Sequence, residues 1–173
     1  FVLLPLPSIL TYAPAQSAAL ARKYFSDGEF EKAAALYQQL HERNRENDYY
    51  FERYFVTLLE LEDYKTADKM MRKAIKAAPT KVERYVSYGV LYERQGERGK
   101  ADEQYEKAVK LIEPNQIQIV KLANSFLKNK QYEYAINTYE KGSKLMRVKH
   151  MFAYEIGSVY RLKGDTPKMI ESY

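Results

Sequence analysis

Residues 82–115 read VERYVSYGVLYERQGERGKADEQYEKAVKLIEPN. Apolar side chains recur at helical spacing on both sides of Gly96, which indicates two amphipathic helices joined by a turn. The same pattern returns at intervals of 34 residues from Ala21 onward. A fixed period of this length is typical of proteins built from stacked repeats, in which each repeat buries its apolar face against its neighbours.

Small and large residues alternate in one register along the chain. The small residues, at positions where two helices would cross closely, are Ala21, Gly89, Ala123, Gly157, Ala33, Ala67, Ala101 and Ala135. The large residues beside them are Tyr24, Tyr92, Phe126, Tyr160, Tyr37, Tyr105 and Tyr139. This alternation lets helices interdigitate at native density. Phe55, Leu40 and Gly142 depart from the pattern.

The turn within each repeat has its own signal. Gly28, Gly96 and Gly164 occupy one slot of the period, where a positive φ is convenient. Glu62 and Lys130 occupy that slot in the other two repeats, so the signal is weaker there.

The pattern resembles the tetratricopeptide repeat family. The residues that carry the resemblance are Gly89, Tyr92, Ala101, Tyr105, Ala108, Pro79 and Pro114. The resemblance implies an all-α fold, a right-handed α-solenoid of stacked antiparallel helix hairpins. We predict a tetratricopeptide array over residues 16–173, continuing beyond them. Its repeats are predicted at 14–47, 48–81, 82–115, 116–149 and, in part, 150–173.

The first fifteen residues carry no charge. An apolar run is followed by Ala13-Pro14-Ala15, a small-x-small pattern typical of a signal-peptide cleavage site. We therefore predict that residues 1–15 are the remnant of a signal peptide and that the protein is exported, to the periplasm or the outer membrane. A structural N-terminal segment, a membrane anchor and a cytoplasmic location are the alternatives. The run is too short, with Pro5 and Pro7 in it, for a stable span of a bilayer core ~30 Å thick.

The net charge of +5 does not by itself predict a nucleic-acid partner. Lysine and glutamate alternate along the predicted helices, as expected for solvated faces. One basic cluster stands out, with Lys141, Lys144, Arg147 and Lys149 around a helix end, where cations favour the carbonyl dipole. We expect no specific nucleic-acid partner, and contact of this cluster with a polyanion is the alternative.

No arrangement of residues predicts catalysis. The chain has no cysteine, which excludes thiolate chemistry and cysteine-ligated metal within it. His41 and His150 are far apart, and we expect both to be exposed near helix ends. The prediction is therefore that the protein is not an enzyme and has no cofactor, no metal site and no small-molecule substrate.

The resemblance also implies a binding surface, because the first helix of each tetratricopeptide repeat lines a concave groove. The partner-binding residues that it places there are Arg22, Tyr49, Glu52, Val56, Glu83, Val86, Val90, Glu93, Val120, Asn124 and Tyr154. The middle of this set is apolar, and charges flank it. The Lys, Asn and Arg pattern with which one subclass grips C-terminal carboxylates is not matched.

These observations predict a non-catalytic scaffold that binds a protein partner, as a peptide or a helix, in the groove. The bacterial cell envelope is the expected setting. The alternatives are an N-terminal regulatory or targeting array of a longer enzyme, and a cytoplasmic adaptor. Later helices of the protein itself could also fill the groove.

Overall fold

The computed structural model describes residues 14–172, which form ten α-helices and no strand. The predicted all-α class is confirmed, and the arrangement is consistent with an α-solenoid. The helices are α1 (Pro14–Ser26), α2 (Phe30–Arg43), α3 (Asp48–Glu60), α4 (Tyr64–Ala77), α5 (Glu83–Arg94), α6 (Arg98–Lys110), α7 (Gln116–Lys128), α8 (Tyr132–Met146), α9 (Ala153–Lys163) and α10 (Thr166–Glu171). Residues 1–13 of the predicted signal peptide lie outside the described range. The predicted cleavage point after Ala15 falls in the first turn of α1.

The turn slot of the repeat has one backbone conformation in all five occurrences. The three glycines have φ of 77°, 76° and 81°, as that slot predicts. Glu62 and Lys130 adopt φ of 55° and 58° at the same slot, although they carry side chains. The repeat register therefore dictates the turn even where glycine is missing.

The chain divides into two compact units, with the boundary between Ala67 and Asp68. In the N-terminal unit, α2 packs against both α1 and α3. One buried cluster of this unit contains Ala21, Ala33, Tyr37 and Leu40. Ala21, Ala33 and Tyr37 are small and large positions that the period predicts for the first repeat, and Leu40, which departs from the pattern, is buried with them.

In the C-terminal unit, α5 pairs with α6 and α7 pairs with α8 as helix hairpins. The hairpins stack because α5 also packs against α7, and α6 against α8. Helix α9 packs against α8 and α10. One buried cluster runs through this stack, with Ala101, Tyr105, Ala123, Phe126 and Ala135 fully buried in it.

Glycine permits close approach at two places in the C-terminal unit. A Cβ atom at Gly89 would stand 2.1 Å from Cε1 of Tyr105, so the tyrosine ring lies directly on the α5 backbone. At Gly142 a Cβ atom would stand 2.7 Å from Cγ2 of Ile119. The departure of Gly142 from the repeat pattern therefore makes room for a neighbouring large side chain.

Polar contacts join successive hairpins of the C-terminal unit. Lys141 of α8 donates from Nζ to the carbonyl oxygens of Val109 and Lys110, at 2.9 and 2.8 Å, and so caps the end of α6. Tyr134 of α8 donates to Oδ1 of Asp102 on α6 at 3.0 Å. Each bond satisfies groups on two different helices and holds α8 in place on α6.

Candidate functional site

The predicted groove residues fall in both compact units. In the N-terminal unit Arg22 is exposed, while Glu52 and Val56 of α3 are partly buried. Tyr49 is 47% exposed and meets Tyr50 edge to face, with ring centroids 5.6 Å apart. Both tyrosines lie in the first turn of α3. The side chain of Asn47 accepts hydrogen bonds from their two backbone N–H groups and so caps the helix.

The basic side chain nearest to these residues in sequence is occupied within the fold. The guanidinium of Arg53 lies 4.2 Å from the ring centroid of Phe25 and donates from Nε to the hydroxyl of Tyr37 at 3.3 Å. Burial raises the pKa of Tyr37 above its ordinary value, and Arg53 acts in the opposite direction. Arg53 therefore contributes a cation–π contact and a hydrogen bond to the packing of the N-terminal unit.

In the C-terminal unit, one predicted groove residue is not accessible. Val86 of α5 is 0% exposed and belongs to the same buried cluster as Leu122 of α7. The expectation that Val86 lines an open groove is wrong, because α7 packs against α5 and closes over it. Glu83 and Val90 on the same helix are partly buried.

Helix α7 has two apolar faces. One consists of Ile119, Leu122, Ala123 and Phe126, and all four are fully buried. The other, which we name the α7 face, consists of Ile117, Val120, Asn124 and Leu127, spaced for one side of a helix. Val120 and Leu127 are partly buried, Asn124 is exposed, and Ile117 is 68% exposed. An apolar side chain is thus held open to solvent on a helix whose other side already supplies the core.

Glu93 of α5, a predicted groove residue, has partners within the fold. The carboxylate of Glu93 accepts a hydrogen bond from Nε2 of Gln131 at 2.8 Å, and it lies 3.9 Å from Nη1 of Arg98. Its charge adds to burial in raising the pKa of Tyr105. Glu93 therefore joins α5 to the turn before α8. Tyr154 of α9, another predicted contact residue, is 69% exposed.

Ile117 is not among the predicted partner-binding residues, although it is the most exposed large apolar side chain of α7. Its signal in the sequence is the spacing of three residues to Val120 and seven to Asn124. The α7 face can bury apolar surface and can exchange hydrogen bonds through the amide of Asn124. Binding, rather than bond chemistry, is what such a surface can do.

Within residues 14–172, no three histidine, aspartate or glutamate residues are placed to hold a metal ion. His150 is exposed as expected, but His41 is partly buried, with its ring 5.5 Å from that of Phe51. The expectation of an exposed His41 is therefore wrong, because α3 packs against α2 there. None of the described helices is long and apolar enough to cross a membrane.

Comparison with known families finds a match over part of the chain. A family model described as tetratricopeptide repeat matches residues 56–81 and 82–115. The match includes the whole α5–α6 hairpin and has its internal boundary where the 34-residue register places it. Among curated proteins, none matches this sequence.

Several solved structures are similar over most of the chain. TTC0263, a thermophilic TPR protein in Thermus thermophilus, is 12% identical with a TM-score of 0.48, covering 93% of this chain and 88% of its own. MamA from Desulfovibrio magneticus RS-1 is 16% identical with a TM-score of 0.48, over 92% and 90%. Pseudomonas aeruginosa PilF is 19% identical with a TM-score of 0.46, over 92% and 73%. Identities and scores this low assign no partner or activity to the present chain.

Proposed function

We propose that this chain, a tetratricopeptide-repeat protein, is a non-catalytic scaffold that binds a protein partner on the α7 face. Repeats of this family generally serve protein–protein interaction. The proposed surface does not include Val86, one of the predicted groove residues, because that side chain is buried.

The exposure of Ile117 is the observation that carries the proposal. A side chain of this kind gains roughly 1.5–3 kcal/mol when it is fully removed from water. Val120 and Leu127 continue the apolar surface along the helix, and the α7–α8 hairpin holds all three at fixed spacing. A preformed surface loses little conformational entropy when a partner binds it.

The shape of the partner follows from this surface. An apolar stripe along one helix suits an amphipathic helix, or an extended segment with apolar side chains at regular spacing. Asn124 would add a hydrogen bond at the centre of the contact and so discriminate between apolar partners. Tyr49 and Arg22 are exposed in the N-terminal unit and remain predicted contacts there.

The bacterial cell envelope is the setting that we propose. The uncharged apolar run before Ala15 supports export, as does a sequence without cysteine, which avoids unwanted oxidation outside the cytoplasm. Expression with the native leader and N-terminal sequencing of the periplasmic product would test this. A mature protein that begins at Gln16 is expected, and an uncleaved product in the cytoplasm would contradict export.

The scaffold is tested with the double variant Ile117→Glu/Val120→Glu. Protein captured from an envelope extract is identified, purified and titrated against both forms of the chain. We expect at least tenfold weaker binding by the variant, equivalent to about 1.4 kcal/mol. The matched control is Leu162→Glu/Ile170→Glu, which places the same charges at two exposed apolar residues of α9 and α10. Equal loss in both variants, or in neither, would contradict the α7 face.

A further inference from the structure

Helix α4 carries a row of cations along one side of its C-terminal half. Within residues 68–77, the exposed residues are Lys69, Arg72, Lys73, Lys76 and Ala77. Spacings of three and four residues place the four cations on one side of the helix, over about 10 Å of its length. We name these four side chains the α4 row. They lie in the C-terminal unit, in the interior of the described range, and none of them belongs to the α7 face.

Most of the charge of the α4 row is not balanced by the fold. Within residues 14–172, the three lysines of the row form no ion pair with a carboxylate. Arg72 does form one, donating from Nε to the two carboxylate oxygens of Asp68 at 3.0 and 2.8 Å. The same carboxylate accepts a hydrogen bond from the hydroxyl of Tyr88 at 2.7 Å. Three lysines within about two helical turns therefore carry uncompensated charge.

The equivalent helices of the other repeats do not share this charge. The residues in the slots of Lys69 and Arg72 are Ala35 and Gln38 in α2, Glu103 and Glu106 in α6, and Asn137 and Glu140 in α8. All six are exposed, so both slots face water in each of these repeats. The repeat can therefore be solvated at these slots without a cation, and the positive charge there is specific to α4.

The helix dipole accounts for only one cation of the row. Lys76 lies in the last turn of α4, where positive charge is stabilising. Lys69, Arg72 and Lys73 lie before that turn, and the effect of the dipole is confined to the end of a helix. Arg72 has its pairing with Asp68, but neither the dipole nor an ion pair accounts for Lys69 and Lys73.

The composition of this surface favours a layer of lipid headgroups over other anionic ligands. Among the exposed residues of 68–77, no aromatic ring is present on which the bases of a single-stranded nucleic acid could stack. The same residues include no apolar side chain larger than alanine, whereas the core of a protein interface is apolar and depleted of lysine. Lysines clustered on one side of a helix are typical of surfaces that attract anionic lipids.

We propose that the α4 row binds the surface of a membrane that contains anionic phospholipids. The lysine ammonium groups would lie against the lipid phosphates. The apolar side of α4 takes no part, since Met71 is fully buried and Ile75 packs against the buried cluster of the C-terminal unit. The contact is therefore peripheral and electrostatic, without insertion into the hydrocarbon core. This inference goes beyond the proposed protein scaffold and does not depend on the α7 face.

Co-sedimentation with lipid vesicles tests the proposal. The vesicles contain about 30 mol % phosphatidylglycerol in phosphatidylcholine, in about 0.1 M salt. We expect the chain to sediment with them and not with vesicles of phosphatidylcholine alone. The variant Lys69→Ala/Arg72→Gln/Lys73→Gln should bind roughly tenfold more weakly or less. Its new residues are those that α2 carries at the same slots, and all three favour helix, so the variant should keep its helicity and melting temperature.

The matched control Lys110→Gln/Lys121→Ala/Lys128→Gln removes the same charge from exposed lysines of α6 and α7. It should change vesicle binding less than about threefold, because salt screens charges that lie away from the contact. An equal loss in this control would overturn the proposal, as would equal binding to uncharged vesicles or no binding at all.

The remaining arms separate the membrane from other ligands. Tighter binding of duplex DNA or of polyglutamate than of the vesicles, abolished by the α4 variant, would overturn the proposal in favour of that polyanion. Release from the vesicles by free glycerol phosphate would show that a single phosphate is the ligand and would also overturn it. Ile117→Glu/Val120→Glu should retain vesicle binding. Loss in that variant alone would assign lipid binding to the α7 face and contradict the α4 row.

Discussion

The α5–α6 and α7–α8 hairpins share one sequence register but place their glycines differently. In the first hairpin, Gly89 lies on the first helix, directly under the ring of Tyr105. In the second, that slot is Ala123, and Gly142 on the second helix admits Ile119 instead. The repeat thus fixes where helices approach each other closely. The large side chain that enters each contact decides which residue must lack a Cβ.

The two hairpins also differ in how far equivalent residues of their first helices are buried. Val86 and Val120 occupy the same slot, 34 residues apart, yet Val86 is fully buried and Val120 only partly. Val90 and Asn124 form the next such pair, with Val90 partly buried and Asn124 exposed. The cause is the neighbour in the stack, since α7 packs on α5, whereas α9 packs mainly against α8 and α10.

The largest effect is expected from a charge at the first of these paired slots. Val86→Glu places a carboxylate in the core without a partner, so we expect the free energy of unfolding to fall by about 4 kcal/mol. Val120→Glu should cost about 1 kcal/mol because the side chain can reach water. Urea unfolding followed by circular dichroism measures both. Equal losses in the two variants would show that α7 does not cover Val86 as described.

The close approach at Gly89 gives the second prediction. Gly89→Ala forces a methyl group to within 2.1 Å of the Tyr105 ring, which is itself fully buried. We expect a loss of about 3 kcal/mol in urea unfolding, since overpacking of a rigid ring outweighs the better helix propensity of alanine. Gly142→Ala meets the smaller side chain of Ile119 at 2.7 Å and should cost less. A loss at Gly142 as large as that at Gly89 would contradict this ranking.

The features of the fold that could be predicted from the sequence are those set by a residue's position in the 34-residue period. Helix class, the buried small residues such as Ala101 and the positive φ of Gly96 all follow from position within the repeat. Burial of Val86 does not, because it depends on how far the next repeat covers the slot. The 34-residue pattern predicts which side of its helix a residue lies on, but it does not predict how much of that side the next repeat covers.

Contacts of individual long side chains were also beyond prediction. Arg53 lies on an aromatic ring and Lys141 caps a different helix, and the repeat pattern indicates neither contact. The loop between α8 and α9 has two residues at positive φ and no glycine to indicate them.

Two tyrosines in these hairpins differ in the hydrogen bonding of their hydroxyl groups. Tyr134 of α8 donates to Asp102, whereas the buried hydroxyl of Tyr105 on α6 has no partner within hydrogen-bond distance in the described range, and the carboxylate of Glu93 acts on it from farther away. We expect Tyr134→Phe to lower the free energy of unfolding by about 1 kcal/mol. Tyr105→Phe should be nearly neutral, because it removes an unsatisfied group. A larger loss at Tyr105 would indicate that its hydroxyl is bonded.

The same tyrosines predict sensitivity to alkaline pH. Burial raises the pKa of Tyr134 to about 12, with Asp102 contributing, and it also raises the pKa of Tyr105 and Tyr139. Because these folded-state values lie above the unfolded value near 10, their stabilisation is complete below about pH 10 and is lost as pH rises toward 12. Absorbance at about 295 nm with parallel circular dichroism would follow ionisation and unfolding. Tyrosines that all ionise near pH 10 in the folded protein would contradict this.

The smallest effect is expected from exchanging the residues at the turn slots of the two hairpins. Lys130 has φ of 58° where the first hairpin has Gly96 at 76°. Lys130→Gly should raise the free energy of unfolding by about 0.5–1 kcal/mol, because the relief of strain exceeds the entropy that glycine gains in the unfolded chain. Gly96→Lys should lower it by a similar amount, and the exchange of both should nearly cancel, since the turns lie in different hairpins. If Lys130→Gly destabilises instead, the lysine side chain contributes more than its backbone conformation costs, and the two turns are not equivalent.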